Sequence, residues 1–191
     1  MSIHDIIKAS ANLKQLMLED TVLHQRLEKA IDLCVKTLKN DGKILFCGNG
    51  GSAADAQHLA AELSGRYYYD RPPLYAEALH VNTSYLTAVA NDYDFDSVYS
   101  RMVEAAGRKG DILVGLSTSG NSTNVIKALK KANELGMHTI AFTGQTGGRM
   151  KELTNVLLNV PSTDTPRVQE GHILLGHILC QMIEEQIFPK T

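Results

Sequence analysis

The sequence predicts an α/β protein built on a five-stranded parallel sheet. Five short apolar segments have the length and composition of buried strands: residues 44–47, 74–80, 112–116, 137–143 and 156–160. Helical patterns separate them and are long enough to serve as crossover connections. Since crossovers of this kind join parallel strands, we expect a parallel sheet wound in the right-handed sense.

Composition restricts the class further. The 191 residues carry 43% apolar and 21% charged residues and a net charge of −2, which is typical of a globular domain. With this net charge, the sequence lacks the excess of basic residues expected of a protein that binds nucleic acid or a membrane surface. No signal pattern or long apolar run is present, and three scattered cysteines suit reduced thiols. We therefore expect a cytoplasmic protein with one domain over residues 1–191.

Helices are predicted before, between and after the strands. Apolar spacing indicates two helices within residues 2–39, with Asp20 and Thr21 as the cap between them. These two have no strand partner in sequence and should pack against helices of the same subunit or of a neighbour. The other helical segments are a helix opened by Ser52, residues 83–90, 96–106 and 123–135, a short turn at 147–153, and a final helix from Arg167 to Phe188 after a linker at 161–166.

The first strand leads into a glycine turn and then a helix. Gly48, Gly50 and Gly51 form the turn, Ser52 is expected to cap the helix, and Asp55 should lie in its first turn. Backbone N–H groups at such a helix start can bind an anion. Farther along, His58 and Glu62 are four residues apart and so project from one face. They predict an acid/base or metal-ligand pair, although a solvated ion pair has the same spacing.

The third strand runs into a loop rich in hydroxyl groups, Ser117-Thr118-Ser119-Gly120-Asn121-Ser122, which again precedes a helix. Four hydroxyls together with helix N-terminal amides can satisfy the oxygens of a phosphate. Between a buried strand and a helix start, this composition favours a phosphate site over an ordinary loop.

A dinucleotide site is the main alternative for the glycine turn. Residues 48–53 fit the loose G-x-G-x-x-A pattern. The second strand, however, ends at His80-Val81-Asn82, without an acid to bind a ribose, and a second phosphate loop would be superfluous. In the last helix, Gln169 and His177 are eight residues apart, roughly 12 Å along the axis, which by itself does not indicate a metal site.

Several motifs together carry a resemblance to a known family. They are Cys47-Gly-Asn-Gly-Gly-Ser52, Asp55-Ala-Gln-His-Leu-Ala-Ala-Glu-Leu-Ser-Gly-Arg66, Ala90-Asn-Asp92, the loop at 117–122, and Arg167-Val-Gln-Glu-Gly-His172 through His177. On these motifs the chain resembles the sugar isomerase (SIS) domain family over nearly its whole length. Within the family it is similar to the bacterial isomerases of sedoheptulose 7-phosphate.

The resemblance implies a flavodoxin-like three-layer sandwich in which residues 1–40 supply helices for oligomer packing and 41–191 the α/β core of a single SIS domain. It also implies a homotetramer with active sites between subunits and one Zn²⁺ per subunit. The implied zinc positions are His58, Glu62, Gln169 and His177, and Glu62 with His177 is the implied acid/base pair. The implied substrate contacts are Asn49, Gly50, Gly51, Ser52, Glu62, Asn91, Asp92, Ser117, Thr118, Ser119, Ser122 and Gln169.

The implied reaction interconverts sedoheptulose 7-phosphate and D-glycero-D-manno-heptose 7-phosphate through an enediol, the first step toward ADP-heptose for lipopolysaccharide. Some members have an Asp where this chain has Pro166, so the role of that Asp is not transferred. Two alternatives use the same scaffold without this chemistry: a tetramer that binds a replication-initiator protein, and a sugar-phosphate sensor. The presence of both Glu62 and His177 favours the enzyme.

Overall fold

A computed structural model of the chain describes residues 2–190 and has the predicted architecture. All five strands are parallel, in the order β2-β1-β3-β4-β5, which is the flavodoxin-like order. The strands are β1 Ile44–Gly48, β2 Ala76–Ala78, β3 Ile112–Ser117, β4 His138–Thr143 and β5 Val156–Asn159. The helices are α1 Ile3–Glu19, α2 Thr21–Lys39, α3 Gly51–Ser64, α4 Thr83–Asp92, α5 Val98–Ala106, α6 Thr123–Glu134 and α7 Thr165–Ile187.

Helices cover both faces of the sheet, which gives three layers. Along β1, Ile44 and Phe46 join the core formed with α1, α2, α3 and α7. The alternate residues Leu45 and Cys47 join the core formed with α4, α5 and α6. Every residue of β1 and β3 is buried, as expected for central strands of a parallel sheet.

The two N-terminal helices meet at the predicted cap, where the Asp20 side chain accepts a hydrogen bond from the Leu23 amide. Helix α2 packs on α7 and β5 within the subunit. Helix α1 leaves large apolar side chains exposed, among them Ile3, Ile7 and Leu18. Across residues 2–190 the structure contains no helix with the length and apolar character needed to cross a bilayer.

Ser52 was wrongly predicted as the cap of α3. Gly50 adopts φ 56°, which lets the chain turn into the helix two residues earlier, and α3 begins at Gly51 with Gly50 as its cap. Ser52 is therefore buried inside the first turn, and Asp55 lies beyond it.

Other boundaries differ by a few residues. The edge strand β2 is shorter than predicted because it pairs only with β1. Asn91 and Asp92 end α4, and the next helix begins as a 3-10 turn, Phe95–Ser97. Helix α7 takes in Pro166, since proline is compatible with the first helical turn.

Candidate active site

The glycine turn and the hydroxyl loop lie side by side at one edge of the sheet. They follow β1 and β3, which are neighbours with Gly48 opposite Leu116. From this pair the strand order extends outward in both directions, to β2 on one side and to β4 and β5 on the other. Ligands of open α/β sheets bind at such a switch point, beyond the carboxyl ends of the strands.

The glycine turn is held in place by buried partners. Tyr99 donates its hydroxyl hydrogen to the carbonyl oxygen of Gly48. The side-chain amide of Asn49 forms two reciprocal hydrogen bonds, of 2.9 and 2.8 Å, with that of Asn124, which is almost fully buried. Since Asn124 belongs to α6, this amide pair ties the glycine turn to the segment that follows the hydroxyl loop.

The hydroxyl loop is internally ordered. The buried Ser117 hydroxyl lies 2.8 Å from that of Ser122 and 3.4 Å from that of Ser119, and Ser119 also accepts a hydrogen bond from the Asn121 amide. Gly120 turns the loop at φ 66°. The side chain of Ser122 does not cap α6, and the Val125 amide donates to Asn124 Oδ1, so the amides of Thr123 and Asn124 are the ones available to an anion.

His58, Glu62 and His177 form a cluster on the surface between α3 and α7. The two Nε2 atoms of His58 and His177 are 2.9 Å apart, and His58 Nε2 is 3.3 Å from Glu62 Oε1. One potential ligand atom from each residue lies within 4.8 Å of the others. The side chains of His58 and Glu62 are 47% and 23% exposed, so the cluster is open to a ligand. A depression of about 420 Å³ adjoins His58.

The cluster forms because α3 and α7 run side by side in the same direction. Gln169 lies against Gly51, and Gly176 lies against Leu59, so residues about 118 apart in sequence face each other. His177 therefore reaches His58. Gln169 lies eight residues earlier on α7, roughly 12 Å along its axis, and within one subunit it does not join the other three residues.

Asp55, one turn before His58, completes the charged face of α3. One of its carboxylate oxygens is buried without a hydrogen-bond partner. Burial raises the pKa of Asp55, and a positive charge on His58 acts in the opposite direction.

The remaining predicted residues lie away from the cluster. Asn91 and Asp92 are exposed at the end of α4, where Asn91 donates a 2.9 Å hydrogen bond to Asp92. Within residues 2–190 no hydrogen bond joins either of them to the two loops. His172 is fully buried, with its ring perpendicular to that of Phe142 and 5.8 Å between the ring centres. Burial lowers the pKa of His172 to about 4, so its imidazole is neutral at pH 7.

Sequence reasoning missed four buried polar residues near the site: Tyr99, Asn124, Arg71 and Glu184. For Glu184 a signal existed. It follows His177 and Cys180 at helical spacing and so falls on the inner face of α7, where a carboxylate requires a partner. For the other three residues, only the tertiary contacts give their role.

Comparison with known proteins agrees with this geometry. The SIS-domain family model matches residues 8–144. The chain is 58% identical to the phosphoheptose isomerase of Aliarcobacter butzleri, over 86% of this chain and 87% of that protein. It is 55% identical to the phosphoheptose isomerase of Helicobacter pylori, over 88% of each. The solved phosphoheptose isomerase of Neisseria gonorrhoeae superposes with a TM-score of 0.89 at 49% identity, covering 96% of this chain and 97% of that one. The chain belongs to the SIS-domain family and, within it, to the phosphoheptose isomerases.

Proposed function

We propose that this chain is an aldose–ketose isomerase that interconverts sedoheptulose 7-phosphate and D-glycero-D-manno-heptose 7-phosphate. The observation that carries the proposal is the meeting of Glu62 and His177, from helices far apart in sequence, beside His58. Family membership at 50–58% identity supplies the substrate class. The product is an aldose phosphate of the kind that heptose biosynthesis consumes.

The isomerisation moves one proton between two adjacent carbons. The carboxylate of Glu62 takes a proton from C1 of the ketose while His177 donates one to the oxygen on C2, which gives the enediol. His177 then takes the proton from the oxygen on C1 as Glu62 returns its proton to C2, which leaves the carbonyl at C1. A carboxylate and an imidazole on one open face can serve both carbons and oxygens without a large movement of the sugar.

Binding of the phosphate anchors the substrate away from the reacting carbons. We assign this role to the hydroxyls of Ser52, Ser117, Thr118, Ser119 and Ser122 and to the first amides of α6. The sugar contacts would come from Asn49, Gly50, Gly51, Asn91, Asp92 and Gln169. Binding energy from the phosphate can then hold C1 and C2 at the acid/base pair. The ordered loop supports this assignment, since the hydroxyl of Ser117 already lies within hydrogen-bond distance of those of Ser119 and Ser122.

The donor set fits a divalent metal. Two imidazole nitrogens and a carboxylate oxygen are ligands that Zn²⁺ accepts, and they come from residues already in contact. We propose that His58, Glu62 and His177 hold one Zn²⁺ per subunit. Bound there, the metal would polarise the oxygens on C1 and C2 and stabilise the negative charge of the enediolate.

A homotetramer accounts for two features of the single subunit. Gln169 is too far along α7 to join the cluster of its own subunit, so as a zinc ligand or sugar contact it would serve the site of a neighbour. The exposed apolar side chains of α1, including Ile3 at 79% and Leu18 at 67%, would be covered in the assembly. We also propose a cytoplasmic location, which suits three buried free cysteines.

The test is turnover of sedoheptulose 7-phosphate by the purified protein in three states: as isolated, treated with chelator, and re-supplied with Zn²⁺. We expect aldose product, loss of turnover on chelation and recovery with zinc. Turnover unaffected by chelator would remove the metal from the reaction, whereas a folded protein without turnover in any state would refute the isomerase.

A second experiment assigns the base. Glu62→Gln keeps the size of the side chain but lacks the carboxylate, and we expect kcat to fall by about 100-fold or more, within the range that general acid/base catalysis contributes. Glu152→Gln, at an exposed position of the 3-10 turn Gly148–Leu153 before β5, is the matched control and should keep full activity. Full activity in Glu62→Gln would contradict the assignment.

A further inference from the structure

Arg71 and Glu184 form an ion pair inside the protein, directly behind the His58–Glu62–His177 cluster. Arg71 Nε is 3.0 Å from Glu184 Oε2, and the two side chains are only 2% and 1% exposed. Arg71 lies in the loop that follows α3, whereas Glu184 lies two turns beyond His177 on α7. The pair therefore joins the two helices that supply the cluster.

Arg71 binds the end of α3 that carries Glu62. Its guanidinium donates hydrogen bonds to four backbone carbonyls, those of Glu62, Leu63, Gly65 and Pro72. The last carbonyls of a helix have no partner within the helix and carry partial negative charge, so a cation there is stabilising. One of these bonds, 2.9 Å long, ends on the carbonyl of Glu62 itself.

Glu184 binds the loop that covers His177. Its carboxylate accepts hydrogen bonds from the amides of Tyr67 and Tyr68, at 2.9 and 2.8 Å. The ring of Tyr67 in turn lies against the imidazole of His177, with 5.8 Å between the ring centres. The position of the Tyr67 ring beside His177 thus depends on the carboxylate of Glu184.

The network is charged and its contacts are complete. Burial alone would raise the pKa of Glu184, but the two amides and the Arg71 guanidinium outweigh it and keep that pKa below its usual range. Buried ion pairs are costly to desolvate, and an apolar pair of similar volume is often at least as stable. Stability alone is therefore a weak reason for this pair, whereas fixed geometry around Glu62 and His177 is a direct consequence of its contacts.

We propose that Arg71 and Glu184 are positioning residues for the active site: Arg71 fixes the helix end that bears Glu62, and Glu184 fixes Tyr67 against His177. This inference rests on the proposed function for its kinetic consequence. It also predicts an effect on metal binding by His58, Glu62 and His177, and metal affinity can be measured without any turnover.

Asp111 provides a matched control. Like Glu184, it is a buried carboxylate that accepts two backbone amides, those of Lys43 and Arg108, and pairs with a cation, the Lys43 ammonium. It lies at the amino ends of β1 and β3, on the opposite edge of the sheet from the two loops. Glu184→Gln and Asp111→Asn therefore remove equivalent charges from equivalent networks, one behind the cluster and one remote from it.

The experiment measures Co²⁺ affinity and steady-state kinetics in both variants and in the parent. We expect Glu184→Gln to weaken Co²⁺ binding by roughly 10-fold or more, as is typical when partners of metal ligands are removed. We expect kcat for sedoheptulose 7-phosphate to fall by about 10- to 100-fold, the effect of a misplacement of about 1 Å, while KM changes little because the phosphate loops are untouched. Asp111→Asn should leave both quantities near those of the parent.

Equal losses in the two variants, or parental Co²⁺ affinity in Glu184→Gln, would overturn the inference. If Glu184→Gln does not fold by circular dichroism, Arg71→Lys takes its place, since it keeps the charge but loses most of the carbonyl contacts, and the same readouts apply. A parent protein that binds Co²⁺ but does not isomerise the sugar refutes the proposed function, and the Co²⁺ comparison then decides the positioning role by itself.

Discussion

Replacing Gly176 by alanine should separate α3 from α7 at the active site. Gly176 precedes His177, and a methyl group added there would lie 2.6 Å from both terminal methyl carbons of Leu59. Leu59 in turn follows His58 and is fully buried. Because both methyl carbons are in the way and Leu59 is fully buried, we expect the overlap to displace the helices instead of being relieved by rotation of Leu59.

The size of the effect follows from the overlap. Carbon atoms in contact are normally 3.5–4.0 Å apart, so the helices must separate by about 1 Å. Overpacking of this kind costs about 1–3 kcal/mol, or a fall of roughly 2–12 °C in Tm for a chain of this size. The added methyl group would lie next to the contact between His58 and His177, whose Nε2 atoms are 2.9 Å apart. A shift of about 1 Å at this contact can lower kcat by up to about 100-fold.

The assay compares Gly176→Ala with Gly171→Ala. In the second variant the new methyl would lie 2.7 Å from two carbons of Val160, a similar overlap five residues away on the same helix. Both variants should lose comparable thermal stability, but only Gly176→Ala should lose Co²⁺ affinity and kcat. If the two variants lose activity in proportion to their loss of stability, the spacing of the helices does not control the site.

Three further outcomes follow from other contacts. His172 has a pKa of about 4 in the folded protein and 6.5 ordinarily, so between these pH values the unfolded chain binds more protons. The free energy of unfolding should therefore fall by about 2 kcal/mol from pH 7 to pH 5, and urea unfolding of His172→Gln should lack this decrease. The same pH dependence of stability in parent and variant would contradict the reasoning. Asn124→Ala removes both hydrogen bonds that orient Asn49, so KM for the sugar phosphate should rise by about 10-fold in steady-state kinetics; an unchanged KM would separate Asn49 from substrate binding. Gly120→Ala places a methyl against the Gly147 carbonyl at positive φ, so the hydroxyl loop must move and inorganic phosphate should inhibit more weakly; unaltered inhibition would place the phosphate elsewhere.

The sequence predicted the sheet well because its signals are local. Runs such as Ile44 to Cys47 are apolar throughout, and the order of strands and crossovers leaves few topologies. The pairing of His58 with Glu62 was likewise local, since four residues make one helical turn. The start of α3 was misplaced because the cap preference of Ser52 yields to Gly50, whose positive φ sets the turn.

The contact between His58 and His177 could not be predicted from spacing. It depends on α3 and α7 lying parallel and in register, which is a property of the packed protein and leaves no period in the sequence. The resemblance to SIS proteins implied the set without giving its geometry. For the same reason, the contacts of Asn124 and Arg71 could not be predicted, since their partners lie 75 and 113 residues away in the chain.

The order of the elements along the chain has a consequence for synthesis of the protein. The strands, the glycine turn and the hydroxyl loop are complete by Val160, but His177 belongs to the last helix. Helix α7 also supplies Leu175, Leu179 and Ile183 to the buried core on one face of the sheet. Since a domain generally folds as a unit, we expect the sheet to become stable only after α7 has left the ribosome. A chain cut before α7 would lose this part of the core together with the proposed catalytic imidazole, so the last helix completes the fold and the proposed active site in one step.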